Sequence, residues 1–342
     1  VARLFRSTFG QGDWTGSERL ESYLLKALTG GPWRDGALSS LVYVTDDERV
    51  AGFLGVLYRP MVLGGRRLRA AVSTKFMVDS EIGRGPAAVS LLKALLATPH
   101  DLVFADVGSD DMRRLWEALG GATVLLYSLH WRRRLRPCRH AVSWWRRHGF
   151  GGPLALALKP FCAPADALVA RLAVNRFHRS PAASTLSDLD EGTFLQHYAE
   201  LAGPGGLRVV FDSASIRFTL EMAAAGRPQR TLHKRAVRDA GGELLGWYVC
   251  AVEAGGAWDV LQLLSRPAST GDVLSHLFAD AWRGGCGELY GRLDPPQMKD
   301  FSARHVDIRS GPPWMLVHTH EPDVLDAILR GRAFLSRLEG EW

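Results

Sequence analysis

A chain of 342 residues is long for one hydrophobic core and comfortable for two, because single cores stop growing near roughly 250 to 300 residues. Apolar residues at 46% and charged residues at 23% exclude large-scale disorder, and a net charge of +6, from 42 basic against 36 acidic residues, is too small to mark a nucleic-acid protein by itself. Cys138, Cys162, Cys250 and Cys286 form no CxxC or Cys/His spacing, which excludes a disulfide framework and a structural zinc. With no apolar run near the roughly 18 residues of a spanning helix and no leader pattern at the start, a soluble cytoplasmic protein is expected.

A helix is predicted over roughly Ser17 to Leu28, ahead of an apolar run at 41–45 (LVYVT) and a β-rich run at 50–63 (VAGFLGVLYRPMVL). The polar turn DDER separates these two, and GGRR separates the second from LRAAVSTKFMV at 68–78. Then comes VDSEIGRGPAAVSLLKALL, in which Leu91, Leu92, Leu95 and Leu96 fall on one face at helical spacing and Lys93 stays off it. LVFADV (102–107) reads as a buried strand. SDDMRRLWEALGG reads as a helix with Ser109 as N-cap and glycine after its end, and TVLLYSLHW (123–131) as one further strand.

A similar series returns downstream, which points to an internal duplication. TLHKRAV, ELLGWYVCAVE and WDVLQLL are strand runs with DAGG and AGGA turns between them, and TGDVLSHLFADAWRGG is a helix with a glycine stop. GELYGRL is a strand, PPQMKDFSARH a short helix, PPWMLVHTH a strand, and DVLDAILRGRAFLSRLEG a closing helix. Between the two series lies the most basic stretch of the chain. It holds Arg132, Arg133, Arg134, Arg136, Arg139, Arg146 and Arg147 with Trp131, Trp144 and Trp145. The domain division is 1–135, a helical basic and aromatic linker at 136–184, and 185–342.

A meander, a loop that opens a helix after the fourth strand, then strand, helix, strand resembles the GNAT superfamily of acyl-CoA-dependent N-acyltransferases. The resemblance is carried by VDSEIGRGPAAVSLLKALL and FADVGSDDMRRLWEALGGATVLLYSLHW, about 60 residues, and elsewhere by element order alone. It implies an α/β fold with a mixed sheet, here two GNAT-like domains. In the family a Q/R-x-x-G-x-G/A loop offers its amides to the CoA pyrophosphate at a helix N-terminus, where free N–H groups and the helix dipole favour anions. The first half offers Gly83, Arg84 and Gly85, but Pro86 has no N–H to donate. The second half offers Arg266-Pro-Ala-Ser269-Thr270-Gly271, one substitution from the family pattern, with Ser269 and Thr270 readable as helix caps as well. The second loop is the better match.

The resemblance also implies attack by a neutral amine on a thioester, with a base for the ammonium proton and an acid for the thiolate. Where many relatives carry a tyrosine acid, this chain has Ser109-x-x-Met112-x-x-Leu115-Trp116, and Trp116 has no titratable proton. Candidate titratable groups are Asp294 and Tyr290 in the second half and Asp79 and Glu81 in the first, with cap or solvated-loop roles as the bland alternatives. His318 and His320 share a strand face, and two histidines without a third ligand do not make a metal site, so no metal is expected. The expected co-substrate is acyl-CoA or acetyl-CoA, or a carrier-protein thioester, and the acceptor a small-molecule amine. The linker reads as a packed connector, as a patch for tRNA or a carrier protein, or as a peripheral membrane contact. Fem-type aminoacyl-tRNA transferases, which also pair two such domains, are the second reading, and a non-catalytic binding protein the third.

Overall fold

The computed structural model describes residues 1–9, 17–79, 84–138, 141–142, 152–171, 183–226, 229–253 and 256–341. In chain order the first elements are α1 (Ala2–Phe9), α2 (Ser17–Thr29), β1 (Leu41–Val44), β2 (Val50–Leu63), β3 (Arg66–Val78), α3 (Arg84–Leu96) and β4 (Leu102–Gly108). Next come α4 (Asp110–Ala118), β5 (Ala122–Thr123), β6 (Leu129–Arg134), α5 (Gly152–Arg171), β7 (Ser184–Asp188), α6 (Glu191–Leu201), β8 (Arg208–Val209) and α7 (Ser213–Ala225). The rest are β9 (Thr231–Asp239), β10 (Leu244–Val252), β11 (Ala257–Ser265), α8 (Thr270–Arg283), β12 (Glu288–Arg292), α9 (Met298–Ser302), β13 (Asp307–Ser310), β14 (Trp314–His318) and α10 (Pro322–Leu329).

These strands make two mixed sheets. The first runs β1-β2-β3-β4-β14-β5, with β8 added on β2, and the second runs β13-β6-β12-β11-β10-β9-β7. Each contains a parallel pair, β3 with β4 and β11 with β12, flanked by antiparallel neighbours. The strand order around the parallel pair is alike in the two sheets, with an exchange. On the outer side of β4 lies β14 from the late chain, and on the outer side of β12 lies β6 from the early chain.

That exchange departs from the predicted division at 135 and 185. One compact unit comprises 1–128, 191–229 and 310–342, the other 129–190 and 230–309. The run 123–131 is not one strand, because a 3-10 turn over Leu125–Ser128 divides it. Ser128 Oγ donates to Val124 O at 2.9 Å and accepts from Met315 N at 3.0 Å, so a buried hydroxyl holds the corner where the chain leaves one sheet for the other. The predicted closing helix 323–340 is also too long. Arg332 N reaches back to Ala327 O at 2.8 Å and Gly331 N to Ile328 O at 3.0 Å around Gly331 at φ +70, a helix stop that needs the left-handed region.

In the first unit, α3 buries Leu91, Leu92 and Leu95 with Leu54, Val56, Val103 and Trp116. Full burial of such a side chain is worth about 1.5–3 kcal/mol. In the second, Trp131, Tyr248 and Trp258 pack with Leu277 and Phe278 of α8. No helix among the described residues is long and apolar enough to cross a membrane.

The basic stretch is partly consumed by the second sheet. Arg132 and Arg134 on β6 sit 3.5 and 3.6 Å from Glu288, Arg133 donates to His305 O, and Arg136 stacks over the Trp282 ring at 4.1 Å. Trp131 is buried. Arg139, Trp144, Trp145, Arg146 and Arg147 lie outside the described residues.

Candidate active site

β3 and β4 are parallel neighbours for only three pairs, Ala70–Leu102, Ala71–Val103 and Val72–Phe104. Beyond them Ser73–Val78 continue on β2 and Ala105–Gly108 continue on β14, so the two strands part. Between the pairs Gly55–Thr74 and Phe53–Met77, β3 takes three steps to two on β2, a bulge that bends the strand. Lys75 lies in that bulge at φ +49, a conformation a non-glycine side chain adopts at a cost.

The parted strands enclose a slot of about 430 Å³, within the size range of small-molecule sites. Ala88 of α3, Phe9 of α1, Met112 of α4 and Glu341 line it. Polar Ser73, Thr74 and Ser109 alternate there with apolar Phe76, Val78 and Ala105. Ser109 caps α4, accepting from Met112 N at 3.2 Å, which fixes that helix start beside the slot.

Ionisable groups on the slot lining connect to others buried in the same unit. Lys75 Nζ donates to Glu341 Oε1 at 2.6 Å. Burial works to lower the Lys75 ammonium, but Glu341, with Tyr23 and Asp106, overrides it and holds the group above its ordinary value. Asp106, fully buried on β4, accepts from Glu341 N at 2.9 Å. Arg59, also buried, donates through Nε to Glu339 O at 3.1 Å, and Tyr198 OH donates to Glu339 Oε1 at 3.1 Å. Burial opposes the Arg59 charge, while Glu339 and Asp106 support it.

The residues singled out from the sequence are dispersed. Asp79 follows Val78 at the end of β3, with its N–H on Ala51 O at 2.8 Å and its carboxylate 3.8 Å from Arg49. Glu81 and Gly83 lie outside the described residues; Arg84 opens α3 and Gly85 is exposed in its first turn. In the second unit Arg266 pairs with Glu243, Ser269 makes no side-chain cap bond, and Thr270 Oγ1 meets Ser265 Oγ at 2.8 Å. The Gly271 carbonyl accepts from Arg304, whose guanidinium lies against that residue. Tyr290 accepts from Arg230 at 3.1 Å, and Asp294, preceding a 3-10 turn, makes no side-chain cap bond. The predicted helix over 295–305 is that turn followed by the five-residue α9.

The second sheet repeats the parting, but fills it. The β11–β12 ladder ends at Val260–Gly291, and beyond it Gln297 Nε2 donates to Leu263 O at 3.2 Å. Trp131 and Phe301 pack nearby with ring centroids 4.9 Å apart. The better loop match in the sequence thus stands beside the more crowded cleft.

Trp116, at the position where the sequence resemblance leads one to expect an acid, is buried with Nε1 on Val317 O at 2.9 Å. His318 and His320 are joined by His100, whose Nε2 lies 3.2 Å from His318 Nδ1. Even so, among the described residues no three His, Cys, Asp or Glu side chains are placed to hold a metal ion. The sequence reading missed Lys75, Asp106 and Glu341. Lys75 carried a signal, a lone lysine inside an apolar strand run; Glu341 carried none.

Neither a protein-family model nor a curated protein sequence matches the chain. Its fold does have solved counterparts. A protein from Enterococcus faecalis V583 described as a probable N-acyltransferase is similar at TM-score 0.58 and 10% identity, over 96% of this chain and 70% of that one. A GCN5-related N-acetyltransferase from Anabaena variabilis is similar at 0.56 and 12%, over 93% and 69%. One from Kribbella flavida is similar at 0.51 and 13%, over 92% and 67%. The fold is that of the GNAT superfamily.

Proposed function

We propose that the protein is an N-acyltransferase that takes an acyl group from acyl-CoA and passes it to an amine, and that the donor lies in the slot between β3 and β4. The observation that carries this is the parting of the two strands at Val72 and Phe104, beside the N-terminal half of α3, where about 430 Å³ opens against a bulged strand edge. Strand edges past the end of a ladder offer amides to a pantetheine arm and to a thioester carbonyl, and a helix start suits the pyrophosphate.

The groups around the slot supply a complete proton path. The amine nitrogen attacks the thioester carbon, forming the C–N bond and placing charge on oxygen, where the β3 edge would donate. The Glu341 carboxylate takes the proton that nitrogen sheds. Collapse breaks the C–S bond with its electron pair leaving on sulfur, and Glu341 returns the proton to the thiolate. Lys75 stays charged throughout, orienting the carboxylate from 2.6 Å and favouring the negative charge that develops. In this scheme Glu341 takes the place of Asp294, Tyr290, Asp79 and Glu81 as acid and base.

A donor carried on tRNA has little support, since Arg132 and Arg134 face Glu288. The test is thermal unfolding with CoA. Binding to the folded state alone at 100 times the dissociation constant adds about 2.7 kcal/mol, so a raised Tm is expected. Val107, exposed at 45% on the slot wall, is the position to fill. Val107→Trp should abolish the shift and Arg266→Ala should keep it. No shift at millimolar CoA removes the proposal, and the opposite pattern of variants moves the donor to the second unit.

A further inference from the structure

We propose that Asp106 is a positioning residue that sets where the Glu341 carboxylate stands in the slot. The assignment rests on the acyl-transfer scheme above, in which Glu341 moves the proton.

The geometry around Asp106 leaves residues 339–341 little choice of path. Asp106 is fully buried on β4, two residues past the end of the parallel ladder, and its Oδ1 accepts from Glu341 N at 2.9 Å. Its other oxygen faces Gly340 so closely that a Cβ there would lie 2.2 Å from Oδ2 and 2.4 Å from Cγ. Only glycine passes that point. One residue earlier the fully buried Glu339 is gripped through its carbonyl by Arg59 and through its carboxylate by Tyr198. The backbone of Glu341 is thus fixed from both sides, and its side chain is directed onto Lys75.

A buried carboxylate is a costly anchor, and a neutral acceptor in its place would hold the same amide less tightly. What the charge adds is a stronger bond to the N–H and an anion close enough to Lys75 to support its ammonium. Both effects act on the pair that meets the substrate. Asp106 itself does not touch the reacting atoms in this scheme.

The experiment is a double-mutant cycle with two readouts, made well below each variant's melting temperature. Turnover is followed as thiol release from acetyl-CoA with hydroxylamine as the amine probe, and exchange of the Glu341 amide hydrogen is followed without substrate. Asp106→Asn should lower kcat at least 10-fold with the acetyl-CoA KM within 2-fold, and speed the amide exchange at least 10-fold. Gly340→Ala should do the same by displacing the same backbone. In a Glu341→Gln background, Asp106→Asn should cost no further kcat, because what it positioned is gone. Ser336→Ala, which removes a bond to Glu339 away from Asp106, should leave kcat near the wild type. Losses that multiply in the double variant, or amide protection unchanged in Asp106→Asn, overturn the positioning role. A wild type that shows no CoA shift, or a Glu341→Gln variant with full turnover, instead overturns the underlying scheme. The exchange measurement decides the placement of Glu341 in either case.

Discussion

The indole nitrogen of Trp116 donates to the Val317 carbonyl at 2.9 Å, tying α4 to a strand 201 positions away in the chain. Trp116 is thus a tie within the core. Trp116→Phe leaves that carbonyl without its donor, and about 1–3 kcal/mol of stability should go. Urea unfolding measures the loss, and the CoA-induced shift should persist. Gly121→Ala should cost a similar amount, because its Cβ would sit 2.0 Å from Trp116 Cδ1.

Lys75 and Glu341 are only 13% and 18% exposed, so removing one partner strands the other in a largely dry place. Lys75→Met should cost about 2–4 kcal/mol, with part of it returned in Lys75→Met/Glu341→Gln. The pair also sets an alkaline limit. A lysine raised by folding contributes fully below its unfolded value of 10.5 and loses that contribution as pH rises through the higher folded value. Wild-type stability should fall more steeply above pH 10.5 than that of the Met variant, and equal slopes would show that the pair carries no such linkage.

The acid side has its own pair. Burial lowers both His100 and His318, and each also feels His320, while Thr98 and Asp101 oppose the shift at His100 and Arg69 adds to it. Groups lowered on folding stabilise fully above their unfolded value of 6.5. That contribution fades as pH falls from there toward the folded values. His318→Gln should therefore flatten the stability loss between about pH 7 and pH 5. If chemical unfolding at both pH values shows the wild-type difference retained, the histidine contact is not responsible.

Much of this architecture was legible in local pattern, and the site was not. The strand runs at 50–63 and 68–78 and the leucine face of α3 follow from apolar periodicity, which acts within a few residues. Which sheet a strand joins is not local: the run 123–131 is largely apolar, and the turn inside it is fixed by Met315, far along the chain. The slot is likewise a place where a ladder stops, which no residue pattern near Val72 announces. Loop matching favoured the second half because it compares main-chain donors in sequence, without seeing Gln297 and Arg304 arrive in the cleft from elsewhere. The apolar repeat after Asp323 continued past Gly331, where backbone geometry, not pattern, ended the helix.

That glycine invites a direct check. Gly331→Ala places a Cβ at φ +70 and should cost about 1–2 kcal/mol. If it leaves stability unchanged by calorimetry, the turn accommodates a side chain by shifting.

The exchange of β6 and β14 also bears on biosynthesis. During translation β4 is made some two hundred residues before β14, so its outer edge must wait, unpaired, while most of the second sheet emerges. An edge exposed that long is a template for pairing with other nascent chains. No single cut between 135 and 185 yields a piece with either sheet whole, so this stretch of chain does not divide there into separable modules.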